Sequence, residues 1–180
     1  MPRKNNQIRI ISGKFGGRLI DTPKTDKTHP MGDRERSAIF NRLRGEIADK
    51  VILDAFAGSG AIGIEALSLG AAEVDFLETH NRAIRAIRDN IAKFKLDKQG
   101  KVIRKLVIRK LQKEYDIIFA DPPYENPQYE YIEEILKSLK HGGIFVLSHP
   151  ESPAPWEFRG LSLFSDKSYA AAHIKMYQKL

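Results

Sequence analysis

The chain contains no cysteine, which excludes a disulfide framework and any chemistry that depends on a thiol. It has no apolar run long enough to span a bilayer, and its N-terminus lacks the apolar core of a signal peptide. Its five histidines show no metal-ligand spacing, so no metal site is expected. These absences favour a cytoplasmic protein that needs neither a membrane nor a metal.

Basic charge is what the chain has in excess. Its 180 residues carry 30 Lys and Arg against 23 Asp and Glu, a formal net charge of +7. This length predicts a single domain over residues 1–180, expected to be monomeric, and the charge favours a polyanionic partner. Arg9, Lys14 and Arg18 coincide with a glycine-broken β-hairpin, which favours RNA binding there. The cations of residues 93–113 form either a further contact with the polyanionic partner or a solvated face.

An acid, two prolines and a tyrosine follow the apolar residues 115–120, which are typical of a buried parallel strand. Because proline cannot extend a strand, the chain must leave the sheet at its C-terminal edge, where open α/β sheets bind ligands. Asp121 and the Pro122 carbonyl are placed to accept hydrogen bonds from an exocyclic amine. Tyr124, beyond Pro123, is placed to stack on the base. The four residues form the predicted catalytic set, and an ordinary Asp-Pro turn is the alternative.

A second motif lies between a predicted strand, residues 51–53, and a predicted helix that begins at residue 61. Glycines at such a turn let the backbone approach a ligand, and the free amides of the helix start favour an anionic group. The next predicted strand, residues 74–78, ends in an acid that is spaced to bind two ribose hydroxyls. The predicted cofactor-binding residues are Asp54, Phe56, Ala57, Gly58, Ser59, Gly60 and Glu78.

The glycine segment, residues 58–63, also matches the dinucleotide fingerprint, but Asp54 argues against NAD. A pyrophosphate would gain nothing from a nearby carboxylate, whereas a ligand ammonium group would. A ligand with an amino-acid head and a ribose suits Asp54 and Glu78 better. S-adenosylmethionine has both groups, so it is the expected cofactor.

Taken together, the two motifs resemble those of class I methyltransferases, over roughly residues 50–148. The N-terminal third extends the resemblance to the RsmD-type bacterial small-subunit ribosomal RNA guanine-N2 methyltransferases. Its matching residues include the basic hairpin and, in the helix predicted after an Asp33 cap, Arg34, Arg36, Phe40 and Asn41. The chain departs from that family at Glu35 and Ser37, where Val and Glu are usual.

This resemblance implies an α/β, Rossmann-like fold with a mostly parallel twisted sheet and an antiparallel C-terminal strand pair. A basic tail and hairpin, residues 1–24, would precede a catalytic core, residues 25–180. The implied activity is S-adenosylmethionine-dependent methylation of a guanine N2 in 16S ribosomal RNA, free or in the assembling small subunit. The implied RNA-binding residues are Arg9, Lys14, Arg18, Arg34 and Arg36.

Two alternatives remain open at this point. A DNA adenine-N6 methyltransferase uses the same tetrapeptide, although this chain lacks room for a DNA target-recognition domain. A non-catalytic RNA-binding ribosome-assembly factor is favoured by the absence of an acid after the predicted third strand, in residues 101–111. Ser148 also stands where family members often carry an acid.

Overall fold

The computed structural model describes residues 7–23, 31–104, 111, 113–123, 125–126, 128–150, 158–169 and 172–180. Its strands are β1 (Gln7–Arg9), β2 (Leu19–Asp21), β3 (Val51–Asp54), β4 (Glu73–Glu78), β5 (Gly100–Arg104), β6 (Tyr115–Ala120), β7 (Leu139–His149), β8 (Leu161–Ser168) and β9 (His173–Lys179). Its helices are α1 (Asp33–Arg42), α2 (Ala61–Ser68), α3 (Asn81–Lys93) and α4 (Tyr129–Leu136), with a short 3-10 turn at Gly13–Phe15. No helix in this part of the chain is long and apolar enough to cross a membrane.

Seven strands form one sheet in the order β5-β4-β3-β6-β7-β9-β8. The first five run parallel, and β9 joins β7 and β8 antiparallel. From β3 the chain moves outward to β4 and β5, then returns to add β6 on the other side of β3. The strand order therefore reverses between the paired strands β3 and β6. Open α/β sheets bind ligands at such a switch point, at the carboxyl ends of the strands. The predicted α/β class, mostly parallel sheet and antiparallel C-terminal pair are confirmed.

Both faces of the central strands are buried, which explains why β3 and β6 are almost wholly apolar in sequence. Ile52 and Ile117 belong to a cluster that includes α1, α2, α3 and the N-terminal hairpin. Leu53 and Ile118, one residue further along, belong to a second cluster with α4 on the opposite face. The alternation of neighbouring residues between two cores follows from the period of two of a strand.

The N-terminal hairpin, β1 and β2 with the turn between them, is joined to the core by a buried carboxylate. Glu65 of α2 is 0% exposed and accepts hydrogen bonds from the Ile11 and Ser12 amides at 2.8 and 2.7 Å and from the Ser12 hydroxyl at 2.9 Å. The Arg36 guanidinium of α1 lies 3.8 Å from the same carboxylate. One side chain of α2 thus joins the hairpin and α1.

Two further buried side chains fasten the rest of the hairpin. The Ser68 hydroxyl accepts a hydrogen bond from the Phe15 amide at 2.9 Å. Asn90 of α3 accepts from the Asp21 amide at 2.9 Å and donates to the Asp21 carbonyl at 2.8 Å. The hairpin is therefore an integral layer of the fold. The predicted division between residues 24 and 25 lies outside the described residues.

Three local predictions were wrong. The caps of α1 and α3 are Gly32 and His80, one residue before the predicted Asp33 and Asn81, and neither helix has a side-chain cap. The Asp33 carboxylate instead accepts a hydrogen bond from Arg36 at 2.9 Å. The helix predicted over residues 129–140 ends at Leu136, because Leu139 is buried and pairs with Tyr115 as the start of β7.

We predict that Gly63→Ala destabilises the protein by about 1–3 kcal/mol, the usual cost of overpacking a core. A Cβ at Gly63 would lie 2.2 Å from Cε1 of Phe76, whose side chain is fully buried in β4. Urea unfolding of Gly63→Ala, Phe76→Leu and the double variant measures the effect. The glycine substitution should cost clearly less when Phe76 is already Leu. If Gly63→Ala costs the same unfolding free energy with Phe76 present or replaced, the contact with Phe76 is not the cause of the destabilisation.

Candidate active site

Three carboxylates meet where the central strands end. Asp54 is the last residue of β3, Glu78 is the last of β4, and Asp121 directly follows β6. Asp54 pairs with Phe76 of β4 and Phe119 of β6, so the three ends lie side by side. The charges of both Asp121 and Glu78 act on the Asp54 carboxyl and help to raise its pKa. The sequence motifs are thus brought together at the switch point of the sheet.

Two glycines shape the turn between β3 and α2. Gly58 and Gly60 have φ of 52° and 78°, in the left-handed region that side chains disfavour. A Cβ on Gly60 would lie 3.2 Å from Ile87, on the core side of the turn. A Cβ on Gly58 would meet only the Phe56 carbonyl, at 4.0 Å. Gly58 therefore faces the open side, where a ligand can approach the backbone closely.

Asp54 is buried, with 3% of the residue exposed. Its Oδ2 accepts a hydrogen bond from the Gly63 amide at 3.0 Å, in the first turn of α2. Burial, and then the neighbouring carboxylates, raises the pKa of Asp54 to about 7, although the Gly63 bond opposes the rise. The structure thus gives Asp54 a partner within the protein and a role in holding the helix start.

Glu78 ties the glycine turn to the start of α3. Its Oε2 accepts a hydrogen bond from the Gly58 amide at 2.8 Å. Its Oε1 accepts from the amides of Thr79 and His80 at 2.6 and 2.8 Å. The residue is half-buried, so its carboxylate borders the open side of the turn. Each oxygen has more than one lone pair, which leaves acceptor capacity for a ligand hydroxyl.

Asp121 is half-buried beside the end of β7. Burial raises its pKa to about 6, and a hydrogen bond from Ser148 opposes that rise. Ala120 pairs with Leu147, so Ser148 is the next residue along the neighbouring strand. Sequence reasoning noted Ser148 only as a departure and missed it as the partner of Asp121. The parallel register of β6 and β7 was the signal that could have found it.

The remaining residues of the two motifs border this edge. Ala57, Ser59 and Pro122 are buried, and Phe56 is half-buried with its ring edge-to-face against Tyr131, 5.7 Å between centroids. Pro123 is exposed, and its carbonyl accepts a hydrogen bond from the Asn126 amide at 3.0 Å. Tyr124, predicted to stack on the base, lies outside the described residues.

The predicted RNA-binding residues separate into two kinds. Arg9, Lys14, Arg18 and Arg34 are exposed. Arg36 is 1% exposed, and its guanidinium donates to the Arg9 carbonyl at 2.8 Å as well as to Asp33. Arg36 therefore binds the backbone of the hairpin from inside the protein. Four of the five predicted contacts are therefore accessible on the surface and stay predictions, whereas the buried Arg36 links α1 to the hairpin.

Comparison with known proteins gives consistent matches over the whole chain. A family model described as "Conserved hypothetical protein 95" matches residues 8–178. The Ribosomal RNA small subunit methyltransferase D of Escherichia coli K12 is 32% identical over 97% of this chain and 91% of its own length. The Putative rRNA methyltransferase YlbH of Bacillus subtilis is 29% identical over 96% of this chain and 99% of its own.

The solved structures agree with these sequence matches. The putative methyltransferase yhhF from Escherichia coli has a TM-score of 0.86 and 29% identity, covering 96% of this chain and 98% of that one. The putative methylase HI0767 from Haemophilus influenzae has a TM-score of 0.80 and 27% identity, covering 97% and 99%. Since family model, relatives and structures all span nearly the full chain, this protein belongs to the RsmD family of methyltransferases.

Proposed function

We propose that the protein transfers a methyl group from S-adenosylmethionine to the exocyclic N2 of a guanine in small-subunit ribosomal RNA. The observation that carries the proposal is the meeting of Asp54, Glu78 and Asp121 beside the open Gly58 turn. The named relatives, which are small-subunit ribosomal RNA methyltransferases, support the RNA class of the substrate. The reaction would take place in the cytoplasm, where the small subunit assembles.

The site suits a cationic cofactor that also carries a ribose. Three carboxylates close together repel one another, and a bound cation would relieve that repulsion. Glu78 would accept the two ribose hydroxyls, and Gly58 would let the amino-acid portion lie against the backbone at the start of α2. When bound, S-adenosylmethionine supplies a methyl group on a sulfonium that needs no acid to leave.

Asp121 is the residue proposed to make the guanine amine reactive. The lone pair of that amine is delocalised into the ring, which makes the nitrogen a poor nucleophile. Hydrogen bonds from the amine to Asp121 and to the Pro122 carbonyl would draw the nitrogen toward tetrahedral geometry and aim its lone pair at the methyl. Ser148 would hold the Asp121 carboxylate in position. Most of the rate enhancement would then come from holding the guanine amine and the methyl group in the correct orientation.

RNA would be gripped mainly by the hairpin and the start of α1. Lys14 and Arg18 both lie beside the buried Phe15, with their cationic groups 5.5 and 5.6 Å from its ring centroid. The target guanine must be unpaired or flipped out to reach Asp121, at a cost of a few kcal/mol. We propose that Tyr124 then stacks on the base, and that the protein works as a monomer on RNA or on the assembling particle.

We predict that Glu78→Ala weakens S-adenosylmethionine binding by about 1–3 kcal/mol, because the ribose hydroxyls lose their acceptor. Isothermal titration calorimetry measures the affinity, and a thermal melt shows whether the variant is folded. Asp97→Ala, which removes one exposed carboxylate after α3, is the matched control and should bind like wild type. Unchanged affinity in Glu78→Ala would remove Glu78 from the cofactor site.

We predict that Asp121→Ala slows methyl transfer by ~10²–10⁴-fold, the scale for one positioned polar group. RNA affinity should fall far less, since the lost interaction is strongest in the transition state. Asp121→Asn keeps an acceptor oxygen for the amine and should retain part of the rate.

The assay for Asp121 is methyl transfer to small-subunit RNA or particles that lack the modification, followed by mass spectrometry of the nucleosides. Wild-type rates from Asp121→Ala would overturn the mechanism. Methyl on adenine N6 would overturn the guanine assignment.

We predict that S-adenosylmethionine affinity rises as the pH is raised from about 5.5 to about 7.5, and then levels off. The pKa values of Asp54 and Asp121 are raised to about 7 and about 6, so both carboxyls bind protons in the lower part of this range. A cationic ligand favours the ionised forms and must displace those protons. Titrations at several pH values should show a flatter dependence in Asp54→Asn, and an equally steep one would contradict the linkage.

A further inference from the structure

The outer face of helix α3 is strongly basic. Arg82, Arg85, Arg88 and Lys93 are all exposed, and Asp89 is the one acid in the helix sequence. The opposite face is buried in the core, so the helix cannot turn these cations inward. Neither the cofactor site nor the predicted hairpin contacts make use of this row. Its charge is a local excess within a chain whose formal net charge is +7.

This row of cations lies between the two places that the proposed function requires. Helix α3 begins three residues after Glu78, whose carboxylate accepts the His80 amide. Its other end lies under the hairpin, where the Arg18 guanidinium is 4.3 Å from the ring centroid of Phe94. At 1.5 Å per residue, the helix covers about 18 Å between these points. The exposed cations therefore extend along the helix from the edge of the site toward the hairpin, with Asp89 as the one acid among them.

A solvated helix face usually mixes both signs, because pairs three or four residues apart stabilise the helix. Here Arg82, Arg85 and Arg88 succeed one another at intervals of three, a spacing that places like charges together and is unfavourable by itself. Within the described part of the chain, Arg85 and Arg88 form no ion pair, whereas Lys93 is 3.1 Å from Asp21. The guanidinium groups of both central arginines are exposed and therefore accessible to an external anion.

We propose that the exposed face of α3, centred on Arg85 and Arg88, is a second RNA-binding surface. It would bind the phosphates of the strand that leads from the target guanine to the hairpin. Guanidinium groups suit this role because they donate two parallel hydrogen bonds to a phosphate. The inference rests on the proposed function, since it assigns the path of that same RNA.

The test compares two double variants that each lower the net charge by two. Arg85→Gln with Arg88→Gln alters α3, beside the edge formed by β4 and β5. Arg159→Gln with Lys167→Gln alters exposed positions at β8, the opposite edge of the sheet. Binding of unmodified small-subunit RNA is measured at several salt concentrations, S-adenosylmethionine affinity by calorimetry, and methyl transfer by mass spectrometry.

The α3 variant should bind RNA on the order of tenfold more weakly at low salt, with a salt slope smaller by about 1.4–1.8. The β8 variant should stay close to wild type, and both should bind S-adenosylmethionine normally. Equal slopes in the two variants would overturn the α3 surface and leave the proposed function intact. Failure of the wild-type protein to bind RNA or transfer a methyl would overturn the proposed function, and the α3 surface with it.

Discussion

The buried carboxylate of Glu65 is the constraint on which the arrangement of this molecule depends. A charge with no exposure to water is costly unless hydrogen bonds replace its hydration. Here the replacement comes from the Ile11 and Ser12 amides, with the Arg36 guanidinium 3.8 Å away. The hydrogen bonds of this carboxylate therefore depend on the docked hairpin, and the nearby positive charge comes from α1. Since α2 begins at the glycine turn, the hairpin and the glycine turn share one helix.

Two of the carboxylates in the site accept hydrogen bonds from backbone amides of the protein itself. Asp54 holds the Gly63 amide at the start of α2, and Glu78 holds the Gly58, Thr79 and His80 amides. These hydrogen bonds fix the shape of the glycine turn from within the protein. Burial raises the pKa values of both Asp54 and Asp121, and at Asp54 repulsion by the charges of Asp121 and Glu78 adds to the rise. A cationic ligand would relieve that repulsion, so these carboxyls favour a ligand of positive charge.

The features that could be predicted from sequence are those with a signal in a short stretch of neighbouring residues. The apolar runs of β3 and β6, the glycine turn and the tetrapeptide after β6 each carry their own signal, and they lead to the sheet and the switch point. Long-range partners carry no such signal. In the sequence Arg36 resembles a surface cation, because its burial depends on Glu65, which comes 29 residues later in the chain. The contact of Ser148 with Asp121 and the early start of β7 at Leu139 likewise depend on the register between β6 and β7.

The docking of the hairpin has a consequence for how the protein is made. The hairpin leaves the ribosome before its anchors at Glu65, Ser68 and Asn90, which lie 53 to 69 residues further along the chain. At a synthesis rate of roughly 5–20 residues per second, the first strands wait several seconds for these partners. During that interval a basic segment is exposed next to the polyanion that is translating it. Because Asn90 of α3 is the last of these anchors in the chain, the hairpin can complete its docking only after α3 has been synthesised.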